Sequence, residues 1–218
     1  MNTISLRKEN IYKINQALTL DRLDLLLKRA FDVSVSLACL ILVSPLFFVV
    51  AVTIKCDSKG PVIFRNLRIG QNCRPFFMYK FRTMKKDAEE MLEKDPGLKK
   101  RFEVNFKLKN DSRVTYIGKI LRRTGLDELP QLINILVGDM SLVGPRPILR
   151  EEIKKTSPHR FSVPPGLTGL WQISGKSLLS YDEKCRLDDH YATRRNVIFD
   201  LRIIFKTIPA IVRGKGFF

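Results

Sequence analysis

The most prominent pattern along the chain is an almost uninterrupted apolar run from Ala30 to Ile54. About 20 apolar residues can cross a bilayer as one helix, so the run predicts a membrane-inserted helix. Basic residues flank it on both sides: Lys28 and Arg29 before it, and Lys55, Lys59, Arg65 and Arg68 after it. Because short flanks rich in Lys and Arg normally stay cytoplasmic, a single crossing would misplace one of them. The pattern favours a re-entrant hairpin that enters and leaves the membrane by one face.

The structural break in this hairpin is predicted at Ser44-Pro45. Proline lacks a backbone donor and clashes with the preceding turn, and Ser44 can donate to a carbonyl that proline frees. A spanning helix with a proline kink and a buried core helix are the alternatives. Asp32 lies just inside the apolar boundary, where a carboxylate is tolerated only beside a cation, so it is predicted to pair with Lys28 or Arg29.

Two further patterns predict a small sheet and a helix after the membrane run. Val62–Phe64 and Phe76–Tyr79 have the composition of short strands, and Arg68–Gly70 between them predicts a turn, so they form a hairpin. A helical period ended by Gly138 follows, with its apolar positions at Leu129, Leu132, Ile133 and Leu136.

The last helical pattern is amphipathic. Arg202 and Lys206 lie on one face, and the apolar face carries Leu201, Ile204, Phe205 and Ile208. A basic amphipathic helix suits an anionic membrane surface. Packing of the apolar face onto the domain's own core is the open alternative.

Together the patterns predict an α+β fold that is mainly helical, with a small antiparallel β-hairpin, a re-entrant membrane helix-break-helix and amphipathic interfacial helices. Residues 1–20 are predicted to be an N-terminal extension. Residues 21–58 are predicted to form the membrane hairpin, with Asp21 as the N-cap of its first helix. Residues 59–218 are predicted to form a cytoplasmic region that makes a single domain with the hairpin.

The formal charge of +17 indicates an anionic partner. Nucleic acid, acidic lipid head groups and phosphorylated small molecules all qualify. The four cysteines form no C-x-x-C pair, and two histidines are too few for a histidine metal cluster. Neither a disulfide framework nor a zinc site is therefore indicated, and the cysteines are interpreted as reduced cytosolic thiols.

Adjacent carboxylates at the mouth of a helix, Asp127 and Glu128, are the best candidates for chemistry. Arg122 and Arg123 lie a few residues before them, and nearby cations favour the ionised form of a carboxylate. An ionised aspartate can ligate Mg²⁺ or attack phosphorus. The competing interpretation is a capping box, because Thr124 lies three residues before Asp127.

Basic residues on rigid segments predict a phosphate site. Lys80 and Arg82 end the hairpin, and Arg146 is fixed between Pro145 and Pro147. A guanidinium group suits phosphate because its donors form a planar fork. Solvated surface positions are the alternative for Arg82 and Arg146. With the membrane run and the carboxylate pair, these residues indicate phosphate chemistry at a bilayer surface.

A series of short motifs resembles the bacterial sugar transferases, the small monotopic polyprenyl-phosphate phosphoglycosyl transferases. They follow one another in the family's order from residue 22 onwards: Lys28-Arg29 with Asp32 and Ser44-Pro45, Gly60–Phe64, Arg68–Gly70, Lys80–Met84, Leu126–Leu132, Gly138–Pro147 and Pro165–Gln172. One departure lies at the hairpin tip, where Cys73 replaces the family's usual second glycine.

The resemblance implies transfer of a sugar-1-phosphate from a UDP-sugar to undecaprenyl phosphate, with release of UMP. It implies that Asp127 is the nucleophile, that Glu128 positions the metal or assists proton transfer, and that both carboxylates hold Mg²⁺. The basic residues and their neighbours become the substrate-binding set, namely Lys80, Arg82, Arg122, Arg146, Pro147 and Gln172. Residues 59–218 thereby become the catalytic region.

The resemblance also implies the partners and the location of the protein. The partners are a UDP-hexose, undecaprenyl phosphate and membrane lipid, with a homodimer possible and no nucleic acid expected. The location is the cytoplasmic face of the bacterial inner membrane, and the reaction is the first membrane step of surface glycan assembly, for exopolysaccharide or lipopolysaccharide. The segment Leu170–Ser177 followed by Ser180–Glu183 resembles members that handle galactose or glucose.

Two alternatives remain open at this stage. One is the same reaction with an N-acetylated sugar. The other is a membrane-attached basic scaffold or nucleic-acid-binding protein, for which aromatic residues interleaved with basic ones would form a stacking platform. The hairpin weakly imitates such a platform at Phe76, Phe77, Tyr79 and Phe81, beside Lys80 and Arg82.

Overall fold

The computed structural model describes residues 22–97, 99–100, 111–175 and 179–212. The predicted extension, residues 1–20, and the predicted N-cap Asp21 lie outside this part of the chain. The fold is mainly helical with a small antiparallel hairpin, as predicted. Its elements are α1 Arg22–Asp57, β1 Ile63–Ile69, β2 Pro75–Phe81, α2 Ala88–Lys94, α3 Tyr116–Thr124, α4 Gln131–Val137, β3 Ser141–Val143, β4 Gly166–Thr168, α5 Leu170–Ile173, α6 Tyr181–Arg194 and α7 Val197–Val212.

Helix α1 continues through Pro45 as a single helix of 36 residues, in place of the predicted helix-break-helix with its break at Ser44-Pro45. The Ser44 hydroxyl donates to the Ile41 carbonyl oxygen at 2.8 Å, which is the carbonyl that Pro45 leaves without a helical donor. Among the described residues, α1 is the one helix long and apolar enough to cross a membrane, and a stretch of 18 residues within it has a mean hydropathy of 2.8. Only 11% of that stretch is buried, so the interpretation as a buried core helix is wrong.

Both halves of α1 pack on the rest of the protein. Before Pro45, Phe31, Val35 and Leu40 pack against the main hydrophobic core. After Pro45, Val50 and Ile54 are buried in a second cluster, which also contains Phe81 of β2 and Leu121 of α3. Between these contacts the side chains are exposed, including Ile41, Leu42, Phe48 and Val49. With Leu25, Leu26 and Leu37 also exposed, the unpartnered apolar surface of α1 runs along most of the helix and includes the region of its proline.

Asp32 pairs with Lys28, as predicted, at 2.9 Å. The Lys28 ammonium group also lies 2.7 Å from Asp200 of α7. Arg29, the other candidate partner, instead donates to the carbonyl oxygens of Ile135 and Leu136 near the end of α4. These contacts attach the first turns of α1 to α4 and α7.

Strands β1 and β2 form the predicted antiparallel hairpin, with Ile63 opposite Phe81 and Ile69 opposite Pro75. The prediction that Arg68–Gly70 forms the turn is wrong for Arg68 and Ile69, because the ladder extends to Ile69. The reversal lies at residues 71–73, where Cys73 has φ 57°. Glycine adopts this left-handed conformation without a steric cost, so a glycine would fit this position with less strain than Cys73.

A short parallel pair, β3 and β4, was not predicted from the sequence. It brings the loop after β3 against the loop before β4. A side-chain carbon at Gly144 would lie 2.4 Å from the Pro164 carbonyl oxygen, so this approach requires glycine. The close packing holds the segment that carries Arg146.

The apolar face predicted for α7 is partly packed on the core and partly exposed. Asp200 and Ile203 are fully buried and point to the core, and Ile204 is partly buried. Phe205 and Ile208 are 68% and 55% exposed. The helix therefore packs on the core along one side and presents a second apolar stripe to its surroundings.

Candidate active site

A short turn between α3 and α4 presents the two adjacent carboxylates. Helix α3 ends at Gly125, whose φ of 73° reverses the chain, and a 3₁₀ turn, Leu126–Glu128, follows directly. The Thr124 hydroxyl donates back to the carbonyl oxygens of Ile120 and Leu121. The capping-box interpretation of Thr124 is therefore wrong, since its side chain stabilises the end of α3 and leaves Asp127 for other contacts.

Strand β2 is attached to α4 beside this turn. The side-chain amide of Asn134 donates to the Phe77 carbonyl and accepts from the Tyr79 N–H. The next residue, Lys80, places its ammonium nitrogen 2.6 Å from Glu128 Oε1 and 3.8 Å from Asp127 Oδ2. A lysine from the hairpin thus contacts both carboxylates of the turn.

Burial sets the protonation of Asp127. Its residue surface is only 8% exposed. Desolvation raises the pKa of Asp127 to about 6, with Glu128 adding to the rise and with Lys80 and Arg122 opposing it. The expectation that nearby cations decide the ionisation is wrong in its net direction, because desolvation outweighs them. At pH 7 about nine-tenths of such a carboxyl is ionised.

Arg122 and Arg82 are both predicted substrate-binding residues, and the structure places them differently. Arg122 donates from Nε to the Thr83 hydroxyl, and burial lowers its pKa while Asp127 opposes this change. Arg82 is buried and donates to the carbonyl oxygens of Ser58 and Lys59, just beyond the end of α1. Its contacts tie the hairpin to the end of α1 and do not bring it to the carboxylates.

Arg146 and Arg68 form a second group of positive charge near the turn. Arg146 is exposed, and its guanidinium carbon lies 5.7 Å from the ring centre of Trp171. Burial and the charge of Arg146 lower the pKa of Arg68 to about 10, whereas Glu152 and Glu128 oppose this. Arg68 thus interacts electrostatically with both Arg146 and Glu128, the second carboxylate of the turn. Sequence reasoning missed it as a site residue, although it lies in the Arg68–Gly70 motif.

Two further predicted residues border this group. Pro147 is buried in the loop that carries Arg146. Gln172 follows Trp171 on α5 and donates to the Leu167 carbonyl at 3.2 Å. Its Oε1 is buried and has no hydrogen-bond partner in the part of the chain that the structure describes. Lys184 of α6 lies on the Trp171 ring as well, at 5.6 Å.

The two carboxylates of the turn could bind a cation such as Mg²⁺ if a bound substrate supplied further oxygen ligands. Among the described residues, no group of three or more His, Cys, Asp and Glu side chains could hold a metal ion. Mg²⁺, however, is often bound by one or two carboxylates, with substrate phosphates and water completing its shell. Asp127 and Glu128 fit that pattern, and Glu128 is the more accessible of the two, with its side chain 38% exposed.

The chain is similar to several named proteins along most of its length. It is 40% identical over 196 residues to the exopolysaccharide production protein ExoY of Sinorhizobium fredii, covering 87% of each chain. It is 41% identical to the undecaprenyl-phosphate galactose phosphotransferase of Salmonella typhimurium and 39% identical to the undecaprenyl-phosphate glucose phosphotransferase of Komagataeibacter xylinus. These matches cover 87% and 89% of this chain but only 41% and 37% of the two larger relatives.

A family model for bacterial sugar transferases matches residues 23–214, which include every element of the fold from α1 to α7. The match contains the carboxylate turn, the hairpin with Lys80 and Arg68, and the loop with Arg146. The chain therefore belongs to the bacterial sugar transferase family.

Proposed function

We propose that the protein transfers a sugar-1-phosphate from a UDP-sugar to undecaprenyl phosphate, with Asp127 as a covalent nucleophile. The observation that carries the proposal is the environment of Asp127: a buried carboxylate whose pKa lies at about 6, with Lys80 3.8 Å away and Arg122 close enough to favour its ionised form. Desolvation makes a carboxylate more nucleophilic, and this pKa keeps it ionised at neutral pH. The relatives named as undecaprenyl-phosphate galactose and glucose phosphotransferases support the reaction class.

In the first step, a carboxylate oxygen of Asp127 attacks the phosphorus next to the sugar. A bond from that phosphorus to aspartate forms, and the bond to the oxygen of the uridine-bearing phosphate breaks, so UMP leaves with the bonding electrons. Lys80, 2.6 Å from Glu128, lies where a cation can stabilise negative charge on the transferring phosphoryl group. The product is an acyl phosphate that carries the sugar.

In the second step, an oxygen of undecaprenyl phosphate attacks the same phosphorus. The bond between phosphorus and Asp127 breaks, and the carboxylate is regenerated. The lipid leaves as undecaprenyl diphosphate sugar. Because Asp127 is the nucleophile of the first step and the leaving group of the second, one site serves both halves of the reaction.

Asp127 and Glu128 would hold Mg²⁺ jointly with the diphosphate. When bound, the ion supplies charge neutralisation at the phosphoryl oxygens. Lys80 also contacts Glu128, so Glu128 would share its oxygens between lysine and metal. The role of Glu128 in this proposal is to position the cation.

Arg68 and Arg146 are proposed to bind the uridine-side phosphate of the donor. Two guanidinium groups close enough for one to lower the pKa of the other are stabilised when an anion lies between them. Among the ion pairs of the described residues, neither Arg68 nor Arg146 has a carboxylate as close as Glu128 is to Lys80. Gln172, with a buried unpartnered amide oxygen, is proposed to accept a hydrogen bond from the donor.

The donor is proposed to be UDP-galactose or UDP-glucose. Relatives named for each of these two sugars match over nearly the same part of this chain. Initial rates with a panel of UDP-hexoses and UDP-N-acetylhexosamines distinguish this from the N-acetylated alternative. Preferential use of an N-acetylated donor would overturn the choice of sugar and leave the reaction class intact.

Helix α1 is proposed to be a re-entrant membrane helix at the cytoplasmic face of the inner membrane. Its exposed apolar surface extends on both sides of Pro45, and basic residues lie near both of its ends. The exposed stripe of α7, with Phe205 and Ile208, is proposed to lie at the membrane surface. A homodimer is compatible with this arrangement.

The hairpin does not provide the stacking platform that the scaffold or nucleic-acid-binding alternative requires. Phe76 and Phe81 are buried in the core, at 8% and 2% exposed, and cannot stack on bases. Phe77 is the one aromatic side chain of β2 that is more than half exposed. A stacking platform requires several such rings in a row.

The test is single-turnover chemistry of the full chain in detergent or nanodiscs. With UDP-sugar and Mg²⁺ but no lipid, the protein should release one equivalent of UMP and gain the mass of a sugar phosphate on Asp127. Asp127→Asn should fold, form no adduct and release no UMP. The proposal is wrong if the mass maps to Glu128, or if UMP appears only when both substrates are present.

A further inference from the structure

The backbone of Arg146 is held by a buried side chain from another segment, Arg160. Its Nη2 donates to the Arg146 carbonyl oxygen at 2.6 Å and lies 3.0 Å from Asp188 Oδ2 of α6. Its Nη1 donates to the Thr156 hydroxyl at 2.8 Å. The exposed fractions of Arg160, Asp188 and Thr156 are 6%, 2% and 3%. One guanidinium group therefore joins three segments of the chain beneath the loop that carries Arg146.

An ion pair this deeply buried is not explained by stability alone. The desolvation of two charges offsets most of their attraction, and hydrophobic residues of similar volume often replace such pairs without loss. What a guanidinium group provides is a planar fork of donors with fixed directions. Here the fork fixes a backbone carbonyl that lies between two prolines, whose φ angles are already restricted.

The same helix that holds Arg160 also contacts the surroundings of the Arg146 side chain. Asp188 and Lys184 are four residues apart on α6, hence on one face. Asp188 pairs with Arg160 below the loop, and Lys184 lies 5.6 Å from the centre of the Trp171 ring, on which Arg146 also rests. Helix α6 thus supports both the backbone and the side-chain environment of Arg146.

We propose that the Arg160–Asp188 pair is a positioning unit for Arg146, which directs its guanidinium group toward the donor diphosphate without touching the substrate. The inference rests on the proposed function, since it assigns a ligand to Arg146. Arg160 and Asp188 are positioning residues and not catalytic ones. Their loss should weaken donor binding through Arg146 and through no other group.

The chain offers a local probe for this test, because Trp171 is its single tryptophan and lies against Arg146. UDP binding to the full chain in detergent would be titrated by Trp171 fluorescence. Arg160→Lys keeps the charge but cannot reproduce the three directed contacts. It should weaken UDP binding by about tenfold, the effect of one lost charge-assisted hydrogen bond.

The double variant separates positioning from a general loss of structure. If Arg160 acts through Arg146, then Arg160→Lys should cause little further loss of UDP affinity in an Arg146→Lys background. Asp188→Asn, which keeps an acceptor, should show a smaller loss with the same dependence on Arg146. Asp188→Asn also tests the inference if Arg160→Lys fails to fold. Losses that multiply in the double variants, or unchanged UDP affinity in both single variants, would overturn the inference.

A matched control exists in the Arg113–Asp111 pair, at 2.8 Å and with side chains 5% exposed, against 5% and 3% for Arg160 and Asp188. Arg113→Lys should leave UDP affinity unchanged. If the wild type itself gives no response to UDP, the proposed donor is wrong, and the emission of ligand-free Trp171 then decides the positioning. Arg146→Lys should shift the emission maximum of ligand-free Trp171, and Arg160→Lys should cause the same shift. An unshifted emission maximum in Arg160→Lys would overturn the proposal that Arg160 positions Arg146.

Discussion

The ammonium nitrogen of Lys80 lies 2.6 Å from Oε1 of Glu128. It lies farther from Asp127, at 3.8 Å, so the lysine neutralises the neighbour of the proposed nucleophile more directly than the nucleophile itself. Asp127 consequently keeps the raised pKa that burial imposes. This arrangement makes the protonation of Asp127 sensitive to pH just below neutrality.

The first prediction concerns the pH dependence of adduct formation. Asp127 must be ionised to attack, and its pKa is about 6. The rate of UMP release without lipid should therefore be level above pH 7, halve near pH 6 and fall about tenfold per unit below it. Stopped-time assays from pH 5 to 8 check this. A rate that stays constant down to pH 5 would contradict the assignment.

The second prediction concerns Lys80. Its charge lowers the pKa of Asp127, so Lys80→Gln should raise that pKa further and move the midpoint of the pH profile upward. At pH 7 the rate of adduct formation should fall, and part of it should return at pH 8. Lys119→Gln, which removes an exposed lysine of α3, is the matched control and should leave the midpoint in place. An unchanged midpoint in Lys80→Gln would show that the charge of Lys80 does not act on the ionisation of Asp127.

The third prediction concerns stability. A carboxyl whose pKa rises on folding is penalised at every pH above the folded value and unpenalised below the unfolded one. For Asp127, raised from 3.8 to about 6, the penalty at pH 7 is roughly 3 kcal/mol. Asp127→Asn should therefore raise the melting temperature at pH 7 while abolishing the adduct.

The same variant should show little gain near pH 4, where Asp127 is protonated in the folded protein. Glu89→Gln, at an exposed carboxylate of α2, is the control and should change the melting temperature little at either pH. Thermal unfolding at the two pH values measures both. A destabilised Asp127→Asn at pH 7 would mean that burial does not govern this carboxyl.

The fourth prediction concerns Arg146. Arg146→Lys keeps the charge but loses the planar fork and the contact with Trp171, so it should lose most activity, about tenfold or more. Arg150→Lys, an exposed position nearby in the sequence, is the control and should retain activity. Steady-state turnover of UDP-sugar compares them. Near wild-type turnover in Arg146→Lys would remove this residue from the site.

The fifth prediction concerns the topology of α1. Cys56 at one end of the helix is exposed, and Asp24→Cys places a thiol at the other end. In single-cysteine variants, an impermeant maleimide should label neither site in intact cells and both after permeabilisation. Labelling of either site in intact cells would indicate a spanning helix. Pro45→Ala should shift the protein toward that spanning form, because alanine restores the helical hydrogen bond to the Ile41 carbonyl that proline cannot make, and the apolar run is long enough to span a bilayer.

The sequence by itself determined the features that depend on neighbours along the chain. The apolar run of α1, the hairpin and the period of α4 each follow from local composition and spacing. The pairing of Asp32 with Lys28, one helical turn away, was likewise predictable. The order of short motifs was enough to identify the family that the comparisons confirm.

Only the tertiary structure decided which charged residues lie together. Arg82 and Arg68 stand in equally basic stretches, yet Arg82 binds carbonyls beyond α1 whereas Arg68 lies in the field of Arg146 and Glu128. The raised pKa of Asp127 reverses the expectation from its basic neighbours in the sequence. Desolvation depends on atoms contributed by distant segments, and no local pattern records how closely those segments pack.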